Sequence, residues 1–370
     1  MPWGPQTATW TALPLKLRLR KHAASDNTRL KTDLKKLAER KKVVAGEPSD
    51  PAEAFPQHPY NRTNLFRCIL PDSDDTRWVE TSPEKAGQKD VLLYLGCYIM
   101  ITPHLIATAR EILKATGLSF EVVGGTRNCC GAPYLRAGNF EAAEEYDKRR
   151  LKLFEAYQPK DVATACTACY QYTQHFTVPT QNPAFSFKTI HKFLAENLDR
   201  LRFTRRVDAK VALHEHFGRY GEETDENYEA SRRVLSRIPG IEIVEMKHSR
   251  REALSCGYPS GGGELDEEVW KEVVEAGADT LVTFWNACHR RLIIGEASYP
   301  LKVEHFITIV GRAMGFEHRD AYKEMVMSGN MAKVVEAAKT RLETRGYDLQ
   351  EVEKRLLRRR ESSTSVRSKP

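Results

Sequence analysis

The chain has 370 residues, of which 41% are apolar and 29% are charged, the balance of an ordinary globular protein. No apolar run approaches the roughly 20 residues that a membrane-spanning helix needs, which argues against an integral membrane protein. The N-terminal residues lack the apolar segment and small-residue cleavage site of a secretory signal. We therefore predict a cytoplasmic protein, in which clustered cysteines bind metals or do chemistry more often than they form disulfides.

The net charge of +7 is concentrated at the two ends of the chain. Residues 1–50 carry eleven basic against five acidic side chains, and residues 317–370 carry thirteen against nine. Basic patches are typical of contacts with nucleic acid or anionic lipid, but no nucleic-acid-binding motif accompanies these. We interpret both ends as solvated arms or partner-docking surfaces, expect no nucleic acid as a partner, and leave peripheral association with a membrane open.

Residues 1–88 are interpreted as a basic extension. Leucines at helical spacing predict one basic amphipathic helix over residues 26–42, and a loop rich in proline, aspartate and asparagine follows. With so little apolar periodicity, the extension is expected to wrap over the folded part or over a partner, or to be partly disordered. Cys68 has apolar neighbours in this segment, which favours a buried packing thiol.

Three short apolar runs follow, each separated from the next by a helical pattern. The predicted strands are 90–96, 120–124 and 161–165, and the predicted helices are 103–116 and 140–157. Buried strands that alternate with helices indicate βαβ units and a parallel sheet.

The same layout returns later in the chain. The second set of predicted strands is 209–213, 241–246 and 279–283, with helices over 227–238 and 264–276. A repeat of this size indicates the duplication of a whole domain rather than a short-period solenoid. The predicted fold class is therefore α/β, with two tandem domains that each contain a small, mainly parallel sheet and flanking helices. The predicted boundaries are 1–88 for the extension, 89–205 and 206–316 for the two domains, and 317–370 for a helical basic tail.

Five of the eight cysteines lie where the predicted strands of the first repeat end: Cys97, Cys129, Cys130, Cys166 and Cys169. In open parallel sheets, ligands bind beyond the carboxyl ends of the strands. We therefore expect these five thiols to converge on one edge of one sheet. Gly131 follows the adjacent pair and would let the backbone approach a bound group closely.

Several kinds of site could use such thiols. Zinc takes four ligands in a tetrahedron, a cubane iron–sulfur cluster takes four cysteines, and the pair in Cys166-x-x-Cys169 could act as redox thiols. The adjacent Cys129 and Cys130 favour a larger cluster, because neighbouring side chains diverge and could reach different irons. An iron–sulfur site is therefore the first interpretation, with zinc and redox thiols as alternatives.

The spacing of Cys97, Cys129-Cys130-Gly131 and Cys166-x-x-Cys169 resembles the cysteine-rich CCG domain, which usually occurs twice in a chain. This domain is found in the B subunit of heterodisulfide reductase, in its sulfur-oxidising relatives, and in iron–sulfur proteins of complexes that oxidise succinate or hydroxyacids. The resemblance implies a non-cubane [4Fe-4S] cluster held by Cys97, Cys129, Cys130, Cys166 and Cys169, which would also be the catalytic residues.

The resemblance further implies an iron–sulfur catalytic and electron-transfer subunit of a heterodisulfide-reductase-like complex, acting on thiols or disulfides, with sulfur oxidation as one setting. The chain lacks a ferredoxin-type cysteine run and a dinucleotide-binding glycine motif. The expected partners are therefore a flavin-containing subunit and a ferredoxin-like iron–sulfur subunit, with a thiol or disulfide substrate that can be protein-bound. Two alternatives are an iron–sulfur subunit of a membrane-associated succinate- or hydroxyacid-oxidising complex and a non-enzymatic zinc scaffold.

The second repeat departs from the CCG pattern, because it keeps only Cys256 and Cys288. His214, His216 and His289 are the candidate substitutes for the missing thiols. They could complete a zinc or iron site, or a second cluster with mixed ligands. The alternative is a vestigial domain that is kept for packing and docking.

Overall fold

The structure is a computed structural model that describes residues 59–70, 86–136, 139–178, 183–215, 225–254, 256 and 263–364. The amphipathic helix predicted over residues 26–42 and most of the extension lie outside these ranges. Within them, every helix is too short or too polar to cross a membrane.

The first sheet has four parallel strands in the order β2-β1-β3-β4. Its strands are β1 (Val91–Gly96), β2 (Phe120–Gly124), β3 (Asp161–Thr164) and β4 (Ser186–Thr189). The first three match the prediction to within a residue or so at each end. The fourth was not predicted, because it is four residues long and buries only alternate side chains.

Helices connect these strands in the manner that a parallel sheet requires. They are α2 (Pro103–Ala115), α3 (Ala132–Arg136), α4 (Phe140–Tyr157), α5 (Thr167–Tyr172) and α6 (Ile190–Glu196), and they follow α1 (Pro59–Ile69). Local chemistry sets the ends of α4. The side chain of Asn139 accepts the N–H of Ala142 at its start, at 3.1 Å, and Gln158 leaves the helix in the left-handed region at φ 44°.

The second sheet repeats the first, with four parallel strands in the order β6-β5-β7-β8. They are β5 (Ala209–His214), β6 (Ile241–Ile243), β7 (Thr280–Thr283) and β8 (Lys302–His305). The matching strand orders confirm the predicted duplication and the α/β fold class. Strand β6 is three residues shorter than predicted.

The remaining described helices belong to the second repeat and the C-terminal segment. They are α7 (Asp225–Leu235), α8 (Gly263–Glu275), α9 (Asn286–Leu292), α10 (Phe306–Met314), α11 (Ala321–Ser328), α12 (Met331–Thr344) and α13 (Leu349–Thr364). A left-handed glycine ends α10, since Gly315 has φ 98° and its N–H bonds back to the last turn.

Helix α1 lies in a segment where the sequence predicted a loop. Its apolar residues Leu65, Phe66 and Ile69 are buried against the folded chain, and Cys68 is buried as predicted. The guanidinium Nε of Arg341, in α12, donates to the carbonyl oxygen of Cys68 at 2.7 Å. The helix therefore forms because tertiary packing stabilises a sequence whose own helical signal is weak.

Side chains on opposite faces of β1 enter different cores. Val91, Leu93 and Leu95 join a large core that is continuous through both repeats and the C-terminal helices. Leu92 and Tyr94 join a smaller core on the other face of the first sheet, and this core contains the five clustered cysteines. Because successive side chains of a strand point to opposite faces of the sheet, the five cysteines lie beside an apolar layer that is separate from the large core.

Candidate functional site

The carboxyl edge of the first sheet brings the five cysteines together. Cys97 follows β1 directly, Cys129 and Cys130 lie between β2 and α3, and Cys166 and Cys169 lie at the start of α5 after β3. Because β1 lies between β2 and β3, its end is next to both of the other groups. Sequence reasoning expected this convergence from topology alone.

The five thiols form one connected set, the cysteine string. The Sγ atoms of Cys97 and Cys129 are 3.5 Å apart. The thiol of Cys130 interacts with those of Cys129 and Cys169, and Cys169 interacts in turn with Cys166. All five side chains are at most 5% exposed. Five soft sulfur donors therefore lie close together in the buried interior of the protein.

Two glycines lie where any side chain would collide with neighbouring atoms. Gly96 has φ 67°, and a Cβ built on it would lie 2.7 Å from the sulfur of Cys169. Gly131 has φ 81°, and a Cβ there would lie 2.6 Å from the carbonyl oxygen of Ala143. Both positions therefore need glycine for conformation and for space, which explains why the adjacent cysteine pair is followed by Gly131.

The protein stabilises negative charge on two of the five sulfurs. Contacts with Cys129 and Cys169 hold the pKa of Cys130 well below its usual value, and Arg150 and the backbone amide of Ala132 add to this effect. Contact with Cys169 and the amides at the start of α5 lower the pKa of Cys166. Thiolates are the form that binds iron or zinc, so the pocket is prepared for a metal.

Two other thiols of the string, those of Cys129 and Cys169, hold their protons more firmly. Burial, followed by contact with Cys130 and Cys97, raises the pKa of Cys129 well above its usual value. Contact with Cys130 and then Cys166 does the same for Cys169. Without a positive centre, neighbouring buried sulfurs cannot all ionise. A metal cluster would supply that centre.

Arg150 is the functional residue that sequence reasoning missed. Its side chain is fully buried within α4, pairs with Asp147, and donates to the hydroxyl oxygens of Thr173 at 2.7 Å and Thr177 at 2.9 Å. After the contacts with Cys129 and Cys169, its charge helps to lower the pKa of the Cys130 thiol. A signal was present in the sequence, since this arginine lies in the helical pattern over 140–157 next to apolar positions.

The donor set and its surroundings fit an iron–sulfur cluster. Five thiols exceed the four ligands of a zinc tetrahedron, and cysteine thiolates are the usual ligands of iron–sulfur clusters. The buried guanidinium of Arg150 and the helix amides would offset part of the thiolate charge. The residues present therefore fit an iron–sulfur site, which was the first interpretation of the sequence.

The corresponding edge of the second sheet holds a smaller group. His214 ends β5, Cys256 follows β6, and Cys288 lies in α9 after β7. One donor atom from each lies within 4.8 Å of the others, and all three are buried. The thiol of Cys256 is 3.3 Å from the sulfur of Cys288, and this contact raises the pKa of Cys288. His216 lies outside the described residues.

His289 lies in a different group from the one with which the sequence associated it. Its Nε2 is 2.6 Å from a carboxylate oxygen of Asp320, and the Nδ1 of His104 is 3.4 Å from the other oxygen. Sequence reasoning had no means of finding this group, because its members are far apart in the chain and none follows a recognisable metal-binding spacing.

Comparison with known proteins finds a family model that matches the part of the chain containing the cysteine string. Residues 91–172 match the family model of the CCG cysteine-rich domain. The chain is 26% identical over 269 residues to the D subunit of the dihydromethanophenazine:CoB–CoM heterodisulfide reductase of Methanosarcina acetivorans, which covers 67% of this chain and 64% of that protein. The same protein of Methanosarcina barkeri is 26% identical over 288 residues, with 70% and 69% covered.

A more distant relative is the B subunit of the fumarate reductase (CoM/CoB) of Methanothermobacter marburgensis. It is 25% identical over 225 residues, which covers 57% of this chain and 43% of that protein. The alignments thus span between 43% and 69% of the length of these three relatives. The heterodisulfide reductase relatives are D subunits, whereas the cysteine spacing suggested the B subunit. Residues 91–172 therefore resemble the CCG cysteine-rich domain, in a chain that is similar to subunits of heterodisulfide reductase and fumarate reductase.

Proposed function

We propose that the chain is an iron–sulfur catalytic and electron-transfer subunit of a heterodisulfide-reductase-like complex that acts on thiols or disulfides. The observation that carries this proposal is the connected, buried string of five thiols at the carboxyl edge of the first sheet. Similarity to the D subunits of heterodisulfide reductases supports the substrate class. The direction of electron flow would depend on the partners, and sulfur oxidation is one setting that fits.

The proposed cofactor is a non-cubane [4Fe-4S] cluster. Its ligands would be the five thiols of the cysteine string, and Gly131 would keep the backbone close to it. When bound, such a cluster supplies redox-active iron with affinity for sulfur. The adjacent Cys129 and Cys130 favour this form, because a cubane needs only four of the five thiols.

The residues of the chain would contribute position and electrostatics. The apolar core that contains Leu92, Tyr94 and Phe154 excludes water from the sulfurs. Arg150 would stabilise negative charge on Cys130 and on a bound thiolate, since its guanidinium has no access to solvent. Reduction of a disulfide to two thiols consumes two electrons and two protons, so the complex must deliver both to this buried edge.

The electrons would come from, or go to, other subunits. The chain has no dinucleotide-binding motif and no ferredoxin-type cysteine run. A flavin-containing subunit and a ferredoxin-like iron–sulfur subunit are the proposed partners, and the substrate can be a small thiol or one attached to a carrier protein. The proposed location is the cytoplasm, and the basic ends of the chain are candidate docking surfaces.

The second repeat would hold a single metal ion instead of a second cluster. His214, Cys256 and Cys288 offer one imidazole and two sulfurs within 4.8 Å, which is a donor set that zinc accepts. Two thiols are too few for the five-thiol cluster of the first repeat. We assign this group a structural role and leave the proposed catalysis to the first repeat.

Isolation of the full chain without oxygen tests the proposed function. We expect about four irons and as many sulfides per chain, a change in the electron paramagnetic resonance signal on addition of a thiol, and disulfide-dependent oxidation of a reduced viologen dye. Absence of iron would overturn the cofactor. A cluster that ignores thiols and disulfides but accepts electrons from succinate would overturn the substrate class.

A further inference from the structure

A second group of metal-binding type, with two buried histidines and a partly exposed aspartate, lies where the two repeats and the C-terminal segment meet. It consists of His104 from α2, His289 from α9, and Asp320, which caps α11. One donor atom from each residue lies within 4.8 Å of the others. We propose that this junction group binds a divalent transition-metal ion through two imidazoles and one carboxylate.

The histidines of the group are buried without enough hydrogen-bond partners. His104 is 3% exposed and His289 is 2% exposed. Within the described part of the chain, Nε2 of His104 and Nδ1 of His289 make no hydrogen bond. Buried polar atoms without partners are costly. Nδ1 of His104, which lies 3.4 Å from the Asp320 carboxylate, also makes no hydrogen bond among the described residues, and a metal ion bound beside Asp320 would satisfy this atom.

The charge of the group also fits a cation. The carboxylate of Asp320 accepts Nε2 of His289 and the backbone N–H of Lys323, at 2.6 and 2.9 Å. The side chain of Lys323 pairs instead with Glu296. The Asp320 carboxylate is only 18% exposed, and a divalent ion bound beside it would offset the cost of removing its charge from water.

Two imidazoles and one carboxylate suit borderline metals such as zinc and ferrous iron, and the absence of sulfur from the group distinguishes it from both cysteine sites. His305 does not supply a further ligand through Nδ1, because that atom accepts the backbone N–H of Ile307 at 3.1 Å. The neutral ring then carries its proton on Nε2, which suits it to donate rather than to ligate.

The position of the group gives the metal a role as a cross-link. His104 follows Cys97 by seven residues, and His289 is the next residue after Cys288. A metal ion there would fix the first repeat, the second repeat and α11 to one another. It would also fix the position of one cysteine-bearing sheet edge relative to the other. This role does not depend on whether the first repeat acts on disulfides.

The test uses the full iron-loaded chain carrying Cys256→Ser and Cys288→Ser, which removes the sulfur donors of the second repeat. After treatment with a chelator, one equivalent of Zn²⁺ is added. X-ray absorption at the zinc edge is expected to show only nitrogen and oxygen ligands, at about 2.0–2.1 Å. Addition of His104→Gln is expected to weaken zinc binding about tenfold or more, while His191→Gln, which changes another buried histidine, leaves it unchanged.

Zinc that fails to bind, or that shows sulfur ligands at about 2.3 Å, would overturn the proposal. Equal affinity with and without His104→Gln would do the same. If the double serine variant does not fold, the otherwise unmodified chain serves in its place. It should then take up two equivalents of Zn²⁺, and His104→Gln should remove one of them without changing the iron content.

Discussion

Gly96 lies so close to the sulfur of Cys169 that no side chain fits at this position. A Cβ built on Gly96 would lie 2.7 Å from that sulfur. The last residue of β1 thus has to be glycine because of a cysteine more than seventy positions away in the sequence. This relationship ties the backbone of the central strand to the geometry of the cysteine string.

We expect Gly96→Ala to reduce the iron content of the chain severely. The added methyl group must displace the sulfur of Cys169, and alanine at φ 67° costs about 1 kcal/mol besides. Gly117→Ala is the matched control, because Gly117 has φ 74° but no atom within 4 Å of the place that an added Cβ would take. Iron per chain after oxygen-free isolation is the measurement. Equal iron content in the two variants would show that the close approach is unimportant.

The role of the cysteine string predicts opposite results for two buried thiols. Cys166→Ser should remove iron and activity, because a hydroxyl is a poor replacement for a thiolate ligand. Cys68→Ser should preserve both, since its thiol donates to the carbonyl oxygen of Asn64 at 3.4 Å and lies in α1, away from the string. Iron analysis and visible absorption distinguish the two. A full iron complement in Cys166→Ser would refute the ligand assignment.

Arg150→Met should destabilise the chain and weaken cluster binding. The change leaves the buried carboxylate of Asp147 without its positively charged partner, which typically costs about 3–5 kcal/mol of unfolding free energy. Arg149→Met is the control, because that arginine is 40% exposed and pairs with Glu145, for an expected loss of about 0.3–0.5 kcal/mol. Urea unfolding measures the loss of unfolding free energy in each of the two variants. Similar losses of unfolding free energy in the two variants would mean that burial does not determine how much the Arg150–Asp147 pair stabilises the fold.

The second repeat should lose a metal ion without affecting the first. Cys288→Ser removes one of the two sulfurs that lie 3.3 Å apart, so zinc bound there should dissociate more readily. The iron content and the spectrum of the first cluster should stay the same, because the cysteine string belongs to the other sheet. Parallel zinc and iron analyses decide the outcome, and a change in the iron spectrum would indicate that the two repeats share one site.

His191 should make the stability of the fold depend on pH. Burial among aromatic rings, including those of Phe284 and Trp285, lowers its pKa from 6.5 to about 3. The unfolded chain therefore binds a proton below pH 6.5 that the folded chain does not, so this stability is present above pH 6.5 and is lost as the pH falls towards 3. The loss between pH 6.5 and about pH 5 should be about 2 kcal/mol of unfolding free energy.

The comparison that isolates this effect uses His191→Gln, which should remove most of that pH-dependent loss. Phe193→Leu, a packing change in the same helix without a titrating group, should lower the unfolding free energy by a constant amount at every pH. Urea unfolding curves at several pH values provide the data. An unchanged pH slope in His191→Gln would contradict the assignment.

Most of the fold followed from pattern, because six of the eight strands are apolar runs with helical patterns between them. Strands β4 and β8 were missed, since each is four residues long with one exposed and one half-buried position. Helix α1 was missed for another reason. Its apolar residues are buried by contacts with distant helices, and such contacts leave no local trace in the sequence.

The cysteine string was accessible from sequence because strand ends at one sheet edge must converge. The junction group was not, because His104, His289 and Asp320 meet only through the packing of one repeat on the other. Arg150 falls between these cases. Its helix was predicted correctly, but the direction in which a charged side chain points within a helical pattern depends on what the rest of the chain places beside it.

The bond from Arg341 to the carbonyl of Cys68 has a practical consequence for anyone who shortens this protein. Because α1 and α12 cover one another, trimming the C-terminal helices would uncover Leu65, Phe66 and Ile69 to solvent. A chain that lacks the C-terminal helices but retains both complete sheets would therefore be expected to aggregate. A useful deletion of these helices has to remove α1 as well.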